Sequence, residues 1–317
     1  MSALVEKGFW GIEIGGTKLQ VVAADTTLKI RERQRFSVTK EHGALGIRNH
    51  IEEAIGRLRK SWQPMAVGIG FGGPVDWRTG GICCSHHIEG WSEFPLGEWV
   101  EKLAGAPTSV ENDANTAALG EAVWGAGMGH DPVFYVTLGS GVGGGLAVDG
   151  KIYHGSSPGE AEIGHVRLDK SGTILEQRCS GWAVDARIRQ LRESGEQSFL
   201  WELIGHTIGG EAKHLAAALE KGDVVARRIL EETIEDLAFG LSHVVHLFHP
   251  QVIVIGGGLS LLGEPLRAGV EKALPRFTME AFAPGPKIRL AGLGEDSVPV
   301  GALVVAQRLL GKRAESS

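Results

Sequence analysis

Apolar segments typical of β-strands alternate along the chain with longer segments whose apolar residues recur at helical spacing. Residues 9–14 and 66–71 are short and apolar, and both predict strands. Residues 41–63 lie between them and have apolar residues at near-helical spacing, at Leu45, Ile51, Ile55 and Leu58. That spacing predicts an amphipathic helix over 41–63. Strands that alternate with helices in this way favour the α/β class.

The alternation continues through the second half of the chain. Residues 132–138 and 252–255 predict buried strands, and the pattern over 182–248 is mostly helical. The end of that helical segment has a broad apolar face, formed by Leu230, Ile234, Leu237, Leu241, Val244 and Val245. The segment stops at Pro250, which cannot continue a helix. A final helix is predicted from near Val300.

Glycine-rich turns follow three of the predicted strands. The first turn, at residues 15–17, separates the strand at 9–14 from another apolar segment at 18–24 and predicts a hairpin. Consecutive backbone N–H groups in such a turn can bind phosphate without a following helix. An ordinary glycine hairpin with no ligand is the alternative interpretation. Another turn, at residues 256–258, follows the strand at 252–255.

The glycines at 139–144 match G-x-G-x-x-G, the fingerprint of dinucleotide-binding folds. That fingerprint requires a helix directly after the glycines. Here the chain continues with alternating apolar residues around Asp149-Gly150, a dipeptide typical of hairpin turns. We therefore predict a second glycine hairpin at this position and not a dinucleotide-binding turn.

A cluster of polar residues stands where another predicted strand gives way to a helix. Residues 108–121 read TSVENDANTAALGE, and the polar side chains are at 111, 112, 113 and 115. In open α/β sheets, ligands bind where strand ends meet helix N-termini. The helix dipole favours a carboxylate there, so Asp113 can act as a general base at neutral pH. The alternative is that Asp113 or Asn115 only caps the helix.

The composition narrows the classes of function. The 317 residues suggest about two domains. The formal net charge is −6, which argues against a broad nucleic-acid surface, and no apolar run approaches the ~20 residues of a membrane-spanning helix. The N-terminal sequence lacks the apolar centre of a signal peptide. Three cysteines, two of them adjacent, cannot form a disulfide framework, so we expect a cytoplasmic protein.

Seven segments, in order, resemble the ROK family of sugar kinases, repressors and uncharacterised proteins. They are GIEIGGTK (11–18), GFGGPVD (70–76), ENDAN (111–115), VTLGSGVGGGLAVDGKIYHG (136–155), EIGH (162–165), LEQRCSG (175–181) and VIVIGGG (252–258). The resemblance covers nearly the whole chain. It implies the α/β actin-like ATPase fold, with two domains of ribonuclease-H type closing over a cleft. The domains would be 1–115, completed by the C-terminal helix 300–317, and 116–299.

The resemblance also assigns site residues. Asp113 would be the catalytic base that takes a proton from a sugar hydroxyl. The sugar would be bound by Gly73, His87, Asn112, Asp113, Glu162, His165 and Glu176. The nucleotide would be bound by Gly15, Gly16, Thr17, Lys18, Thr137, Gly139, Ser140, Gly141, Gly256, Gly257 and Gly258. From the sequence alone, Glu162 and His165 could hydrogen-bond a polyhydroxylated ligand or hold a metal, but a solvated polar loop is the favoured interpretation.

The chain departs from the family pattern in three places. Glu13 stands where the family usually has an aspartate that helps to hold Mg²⁺ through water. The longer side chain keeps the charge but displaces it, so we expect an effect on the rate of phosphoryl transfer more than on the type of reaction. His87 stands where an asparagine is common, so sugar preference can differ. Zinc-bearing members have a cysteine cluster after the EIGH histidine, but this chain has no cysteine between His165 and Glu176, and we expect no zinc.

The resemblance favours a kinase that uses ATP and Mg²⁺ to phosphorylate a hexose, at the 6-hydroxyl of glucose or a related sugar. The sequence does not distinguish ATP from polyphosphate as the phosphate donor, and it does not identify the particular sugar. The alternative is a weak or inactive sugar-binding regulator without a DNA-binding domain. Only eight residues precede the first predicted strand, too few for a helix-turn-helix. We expect no nucleic-acid or membrane partner, and a homodimer or higher homo-oligomer by resemblance.

Overall fold

The structure is a computed structural model, and it describes residues 5–38, 43–83, 90–156, 159, 161–206 and 208–315. His87, one of the predicted sugar-binding residues, lies outside the described residues.

Strands and helices alternate through the described residues. The strands are β1 (Glu6–Ile14), β2 (Lys18–Ala24), β3 (Ile30–Ser37), β4 (Trp62–Phe71), β5 (Val75–Asp76), β6 (Gly81–Ile82), β7 (Thr108–Asn112), β8 (Val133–Leu138), β9 (Val142–Val148), β10 (Lys151–Ile152), β11 (Val252–Gly256) and β12 (Lys287–Leu290). The helices are α1 (Gly43–Leu58), α2 (Leu96–Ala104), α3 (Asp113–Trp124), α4 (Glu176–Cys179), α5 (Gly181–Glu193), α6 (Leu200–Ile204), α7 (Leu215–Glu220), α8 (Val224–Phe248), α9 (Glu264–Ala273) and α10 (Ser297–Glu315). Short 3₁₀ turns connect several of them.

The chain forms two compact units. The first contains Met1–Met128, Gly145–Ala161 and Glu295–Ser317, and the second contains Gly129–Gly144 and Glu162–Gly294. The expected boundary at 115/116 differs from this division. Because α3 packs on α10 and β4, the whole of α3 lies in the first unit. Residues 145–161 also belong there, and a Cβ on Gly145 would lie 2.5 Å from the carbonyl oxygen of Ala114.

The first unit is built on a mixed sheet with strand order β3-β2-β1-β4-β7. β1 pairs antiparallel with β2 in the predicted hairpin and parallel with β4, which pairs parallel with β7. One face of the sheet forms an apolar core that includes buried residues of α1 and α2. The other face packs on apolar residues of α3 and α10. Both faces of the central strands are therefore buried, which explains their continuous apolar sequence.

Helix α1 is shorter than predicted. It ends at Leu58, and Trp62 already begins β4. The apolar repeat stops at Leu58, and the polar residues after it form a turn. The sequence pattern predicts Leu45 on the apolar face, but 62% of this residue is exposed. The buried face is formed by Ala44, Ile47, Ile51, Ala54, Ile55 and Leu58.

Helices α3 and α10 approach each other at glycines. A Cβ on Gly301 would lie 1.8 Å from the carbonyl oxygen of Thr116, and a Cβ on Gly120 would lie 2.4 Å from that of Ser297. No side chain fits at either position, so the two helix backbones can be this close only with glycine. The predicted final helix is confirmed, and it begins at Ser297, a few residues earlier than predicted. This contact fixes α3, whose first residue is Asp113.

The second sheet has strand order β10-β9-β8-β11-β12. β11 pairs parallel with β8 and with β12, and β10 pairs antiparallel with β9. Val142 begins β9 directly after the glycines at 139–141, so a strand and not a helix follows them. This confirms that the glycines belong to a hairpin and not to a dinucleotide-binding turn.

The long helix α8 forms much of the second unit, and its buried face matches the predicted apolar face. Asp223 caps it, because its side chain accepts a hydrogen bond from the backbone N–H of Ala226 at 2.8 Å. Among the described residues, no helix has the length and apolar character needed to cross a membrane.

Candidate functional site

In the first unit, the ends of β1, β4 and β7 lie side by side. Ile14 pairs with Phe71, and Phe71 pairs with Asn112. The backbone N–H of Gly72 donates to the carbonyl oxygen of Ile14 at 2.8 Å. The three segments that follow these strands therefore begin next to each other, as at the ligand-binding edges of α/β sheets.

Asn112 is the N-cap of α3. Its side-chain oxygen accepts hydrogen bonds from the N–H groups of Ala114 at 2.9 Å and of Asn115 at 3.1 Å. Its Nδ2 donates to the carbonyl oxygen of Gly73 at 3.3 Å. The N-cap is therefore Asn112 and not Asp113 or Asn115. The predicted sugar role of Asn112 depends on its amide nitrogen, since the oxygen is used by the cap.

Asp113 is the first residue of α3 and is partly exposed. Its Oδ1 accepts from the N–H of Ala114 at 2.8 Å. A Cβ on Gly72 would lie 3.3 Å from Oδ2 of Asp113, so the glycine loop after β4 runs close beside this carboxylate. The positive end of the helix dipole stabilises negative charge at this position.

Glu13 is a buried carboxylate in the same region, with 6% of the residue exposed. Its Oε1 lies 3.1 Å from Nζ of Lys18, and its Oε2 accepts from Nε2 of Gln20 at 2.7 Å. Burial raises the pKa of Glu13, the ammonium and hydrogen bond of Lys18 lower it, and the charge of Asp113 raises it further. Glu13, Lys18 and Asp113 therefore form one electrostatic group.

The first glycine turn joins Glu13 and Lys18. The N–H of Gly15 donates to the carbonyl oxygen of Lys18 at 2.9 Å, and that of Val38 donates to the carbonyl oxygen of Thr17 at 3.0 Å. Gly16 and Thr17 are exposed at the tip. A Cβ added to Gly16 would meet no described atom within 4 Å.

A second buried carboxylate lies one strand position before Asn112. Oε2 of Glu111 is 2.8 Å from Nε2 of His154, and Trp77 stacks on the His154 ring with centroids 4.2 Å apart. This contact joins the end of β7 to the segment after β10 and to the loop after β5. The sequence offered only one signal for His154, its place in the KIYHG motif.

In the second unit, the turn at residues 139–141 is closed by backbone hydrogen bonds. The N–H of Gly139 donates to the carbonyl oxygen of Gly141 at 3.0 Å, and that of Gly181 donates to the carbonyl oxygen of Gly139 at 2.7 Å. Ser140 is exposed at the tip. The carboxylate of Glu176 accepts from the N–H of Val142 at 2.8 Å. Glu176, predicted to bind the sugar, therefore lies directly against the turn predicted to bind the nucleotide.

Glu162 and His165 flank a short 3₁₀ turn, and both are exposed. A Cβ on Gly164 would lie 2.1 Å from the carbonyl oxygen of Val142, so the turn packs closely on the start of β9. Among the described residues, neither side chain has a hydrogen-bond partner.

The third glycine turn follows β11. Gly256 pairs with Thr137 on β8, which brings this turn next to the one at 139–141. Gly257 has φ +80°, and a Cβ on it would lie 2.5 Å from the backbone of Leu138. Gly258 is exposed, and a Cβ there would meet no described atom within 4 Å.

Within each unit, the predicted residues thus come together. The first unit groups Glu13, Gly15–Lys18, Gly73, Asn112 and Asp113, and the second groups Thr137, Gly139–Gly141, Glu176 and Gly256–Gly258. Gln20 was not predicted. It lies opposite Glu13 on β2, and its Oε1 accepts from Nη1 of Arg33 at 2.8 Å.

A sequence model of the ROK family matches residues 9–309. The chain therefore belongs to the ROK family. It is 30% identical to a glucokinase of Thermotoga maritima over 309 residues, 95% of this chain and 98% of that protein. It is 31% identical to a glucokinase of Streptomyces coelicolor over 94% of this chain and 96% of that protein.

Among solved structures, it resembles a ROK family glucokinase from Streptomyces griseus in complex with glucose and AMPPNP. The TM-score is 0.82 at 32% identity, over 95% of this chain and 99% of the other. The fold is accordingly the α/β actin-like ATPase fold that the resemblance implied.

Proposed function

We propose that this protein is an ATP-dependent hexose kinase with Asp113 as its general base. The observation that carries the proposal is the position of Asp113, a partly exposed carboxylate on the first residue of α3, beside the loop at Gly72. The sugar oxygen bonds to the γ-phosphorus while the bond from that phosphorus to the bridging oxygen breaks. ADP leaves, and the hydroxyl proton passes to Asp113.

Three glycines support nucleotide binding at the predicted turns. Gly16, Gly139 and Gly258 have ordinary backbone angles, and a Cβ on any of them would make no close contact with a described residue. The fold therefore does not require glycine at these positions. A ligand that comes close to the backbone would require it, as phosphates and nucleosides do at glycine turns.

The residues of the first unit fit a magnesium ion that arrives with the nucleotide. Mg²⁺ prefers carboxylate oxygens and is usually held by one or two carboxylates together with substrate phosphates. Glu13 supplies one such carboxylate, and the nearby charge of Asp113 favours a cation there. When bound, the ion would neutralise phosphate charge during transfer. Glu13 would hold it through water, in competition with Lys18.

We infer that the sugar is glucose or a related hexose, phosphorylated at its 6-hydroxyl. The glucokinase relatives named above support this class of substrate. Exposed Glu162 and His165 supply an acceptor and a donor for sugar hydroxyls. Glu176, tied to Val142, would contribute its second oxygen.

We also infer that no structural zinc is bound. Cys179 is the described cysteine closest in sequence to His165. It is buried, and its Sγ lies 3.6 Å from the carbonyl oxygen of Thr233. Burial raises the pKa of its thiol strongly, and a thiol that resists ionisation is a poor zinc ligand. Elemental analysis of purified protein tests this, and stoichiometric zinc would contradict it.

The activity is tested by measuring ADP release with Mg-ATP over a panel of hexoses, with inorganic polyphosphate as a second donor. We expect turnover with at least one hexose and ATP. No turnover with any sugar and either donor would refute the proposal.

A second candidate, a sugar-binding protein with little catalysis, is favoured by one observation. Both carboxylate oxygens of Glu13 are already in contact with Lys18 and Gln20, and its longer side chain displaces the charge from where an aspartate would hold it. Calorimetric binding of a hexose without ADP release would favour this candidate.

A further inference from the structure

The segment between His165 and Glu176 folds into a small hairpin in the second unit. The N–H of Leu175 donates to the carbonyl oxygen of Val166 at 2.9 Å, and that of Leu168 donates to the carbonyl oxygen of Thr173 at 2.8 Å. Because residues 166 and 175 are paired, the hairpin brings His165 and Glu176 to its two ends. Its register therefore fixes the spacing of these two predicted sugar-binding residues.

The base of the hairpin is anchored by apolar packing. Leu175 is fully buried, and a Cβ on Gly240 of α8 would lie 2.8 Å from its side chain. Ile163, just before the hairpin, is also buried. The tip lacks such packing, because Asp169, Lys170 and Ser171 are exposed.

One side of the hairpin also borders an open cavity of about 490 Å³. Its lining includes Leu168, Asp169 and Thr173 of the hairpin, together with Asp236 and Phe239 of α8. This part of the hairpin is therefore less closely packed than its base, and its own hydrogen bonds contribute to its order.

Asp169 supplies those bonds. Its Oδ1 accepts from Oγ of Ser171 at 2.5 Å, from the N–H of Gly172 at 2.9 Å and from that of Thr173 at 3.2 Å. Gly172 has φ +105°, a conformation that glycine adopts without strain. The hydrogen bonds lower the pKa of Asp169, so the carboxylate stays charged at neutral pH.

We propose that Asp169 is a positioning residue for the sugar: by closing the tip of the 166–175 hairpin, it sets the placement of His165 and Glu176. This inference rests on the proposed kinase function. Asp169 itself touches neither His165 nor Glu176, and it acts through the backbone of the hairpin.

The chain contains a matched control in the first unit. Oδ1 of Asp25, between β2 and β3, accepts from the N–H of Thr27 at 2.9 Å, from its Oγ1 at 2.6 Å and from the N–H of Lys29 at 3.2 Å. The hydrogen bonds to Oδ1 resemble those of Asp169, although Oδ2 of Asp25 also pairs with Arg31 at 2.7 Å, and the turn does not border a predicted sugar-binding residue. Asp25→Ala therefore removes a similar turn without affecting the sugar.

The test compares Asp169→Ala, Asp169→Asn and Gly172→Ala with Asp25→Ala in the full chain. Loss of the tip hydrogen bonds in Asp169→Ala should raise the KM for the sugar about three- to tenfold. The KM for ATP and kcat at saturating sugar should change little. Asp169→Asn keeps an acceptor oxygen and should restore most of the sugar affinity, and Gly172→Ala should act in the same direction as Asp169→Ala. Asp25→Ala should leave the KM for the sugar unchanged.

Hydrogen exchange of residues 166–175 supplies a readout that does not need activity. Faster exchange there in Asp169→Ala, with the rest of the second unit unchanged, is expected. Unchanged exchange, an unchanged KM for the sugar, or equal changes in all kinetic constants would each overturn the positioning role. A wild-type protein with no kinase activity would refute the proposed function instead, while exchange would still decide whether Asp169 orders the hairpin.

Discussion

The Asp113 region of the first unit and the glycine turns of the second unit offer a ligand different kinds of groups. Around Asp113 the groups are charged side chains, and two of the carboxylates, Glu13 and Glu111, are buried. Around the turns at 139–141 and 256–258 the exposed groups are backbone and small residues, such as Ser140 and Gly258. If the proposed function is correct, we expect the first region to serve proton transfer and charge balance, and the second region to serve mainly binding.

The two regions also differ in how their charges are stabilised. Glu13 and Glu111 each contact a basic side chain, Lys18 and His154 respectively, because a buried charge without a partner is very costly. Glu176 of the second unit instead accepts a backbone N–H, from Val142. Changes in the first region should therefore act mainly on kcat, and changes in the glycine turns mainly on KM.

The largest effect should come from Asp113→Asn. A positioned general base contributes roughly 10²–10⁴ in rate, so kcat should fall by that order while sugar affinity survives. Steady-state kinetics and calorimetry measure the two quantities. Asp149→Asn, on the turn between β9 and β10, is the control and should retain full activity. More than about a tenth of wild-type turnover in Asp113→Asn would mean that Asp113 is not the base.

Glu13 should have the next largest effect. Groups that support a metal ion from its outer shell typically contribute about 10–100-fold, so Glu13→Ala should lose activity by that order. Additional Mg²⁺ should partly restore it, and Glu13→Asp should keep or raise activity. The measurement is a magnesium titration of kcat and of the KM for ATP. Full activity of the alanine variant would remove Glu13 from the mechanism.

Glycine substitutions probe the second region. Gly139→Ala and Gly258→Ala should raise the KM for ATP about tenfold or more, because the new methyl group would occupy space needed by the nucleotide. The folded protein has room for both methyl groups, so stability should hardly change. Gly56→Ala, on the exposed face of α1, is the control and should stabilise the protein by about 0.5–1 kcal/mol without affecting KM. An unchanged KM in both variants would place the nucleotide elsewhere.

The order of strands, helices and glycine hairpins could be predicted from the sequence because each has a local signal. Alternation after Gly144 marked β9, and the apolar repeat marked α1 and α8. The exposure of Leu45 and the extent of the first unit could not be predicted, since both depend on contacts between distant segments. Gly145, for example, belongs with the first unit through its contact with Ala114.

For the candidate site, the sequence predicts which residues take part, and their roles stay predictions. Asp113 and the glycine turns stand in motifs, so their positions follow from the resemblance. The cap at Asn112 and the pairing of Glu13 with Gln20 depend on which side chains point toward each other. In a hairpin, a cross-strand pair such as Glu13 and Gln20 depends on the register, and the turn at 15–17 alone did not specify it.

The smallest expected effect is on the free energy of unfolding, and it distinguishes the contributions of the charged residues around Glu13. Because burial raises the pKa of Glu13 above its ordinary value of 4.5, the protonated carboxyl favours the folded state. This stabilisation is complete below the unfolded pKa and is lost as pH rises through the folded pKa. Glu13→Gln cannot ionise, so its free energy of unfolding relative to wild type should increase as pH rises above about 4.5.

The neighbouring charges of Lys18 and Asp113 should change the pH dependence of this stability difference in opposite directions. Lys18 favours the charged form of Glu13, so the effect of Glu13→Gln on stability should grow when it is measured in the Lys18→Met protein. Asp113 disfavours the charged form, so the same effect should shrink in the Asp113→Asn protein. Urea unfolding at several pH values in magnesium-free buffer measures the effect of Glu13→Gln in all three proteins. Parallel stability curves for wild type and Glu13→Gln would show that the pKa of Glu13 is the same in the folded and unfolded protein, and would contradict the raised pKa that its burial produces.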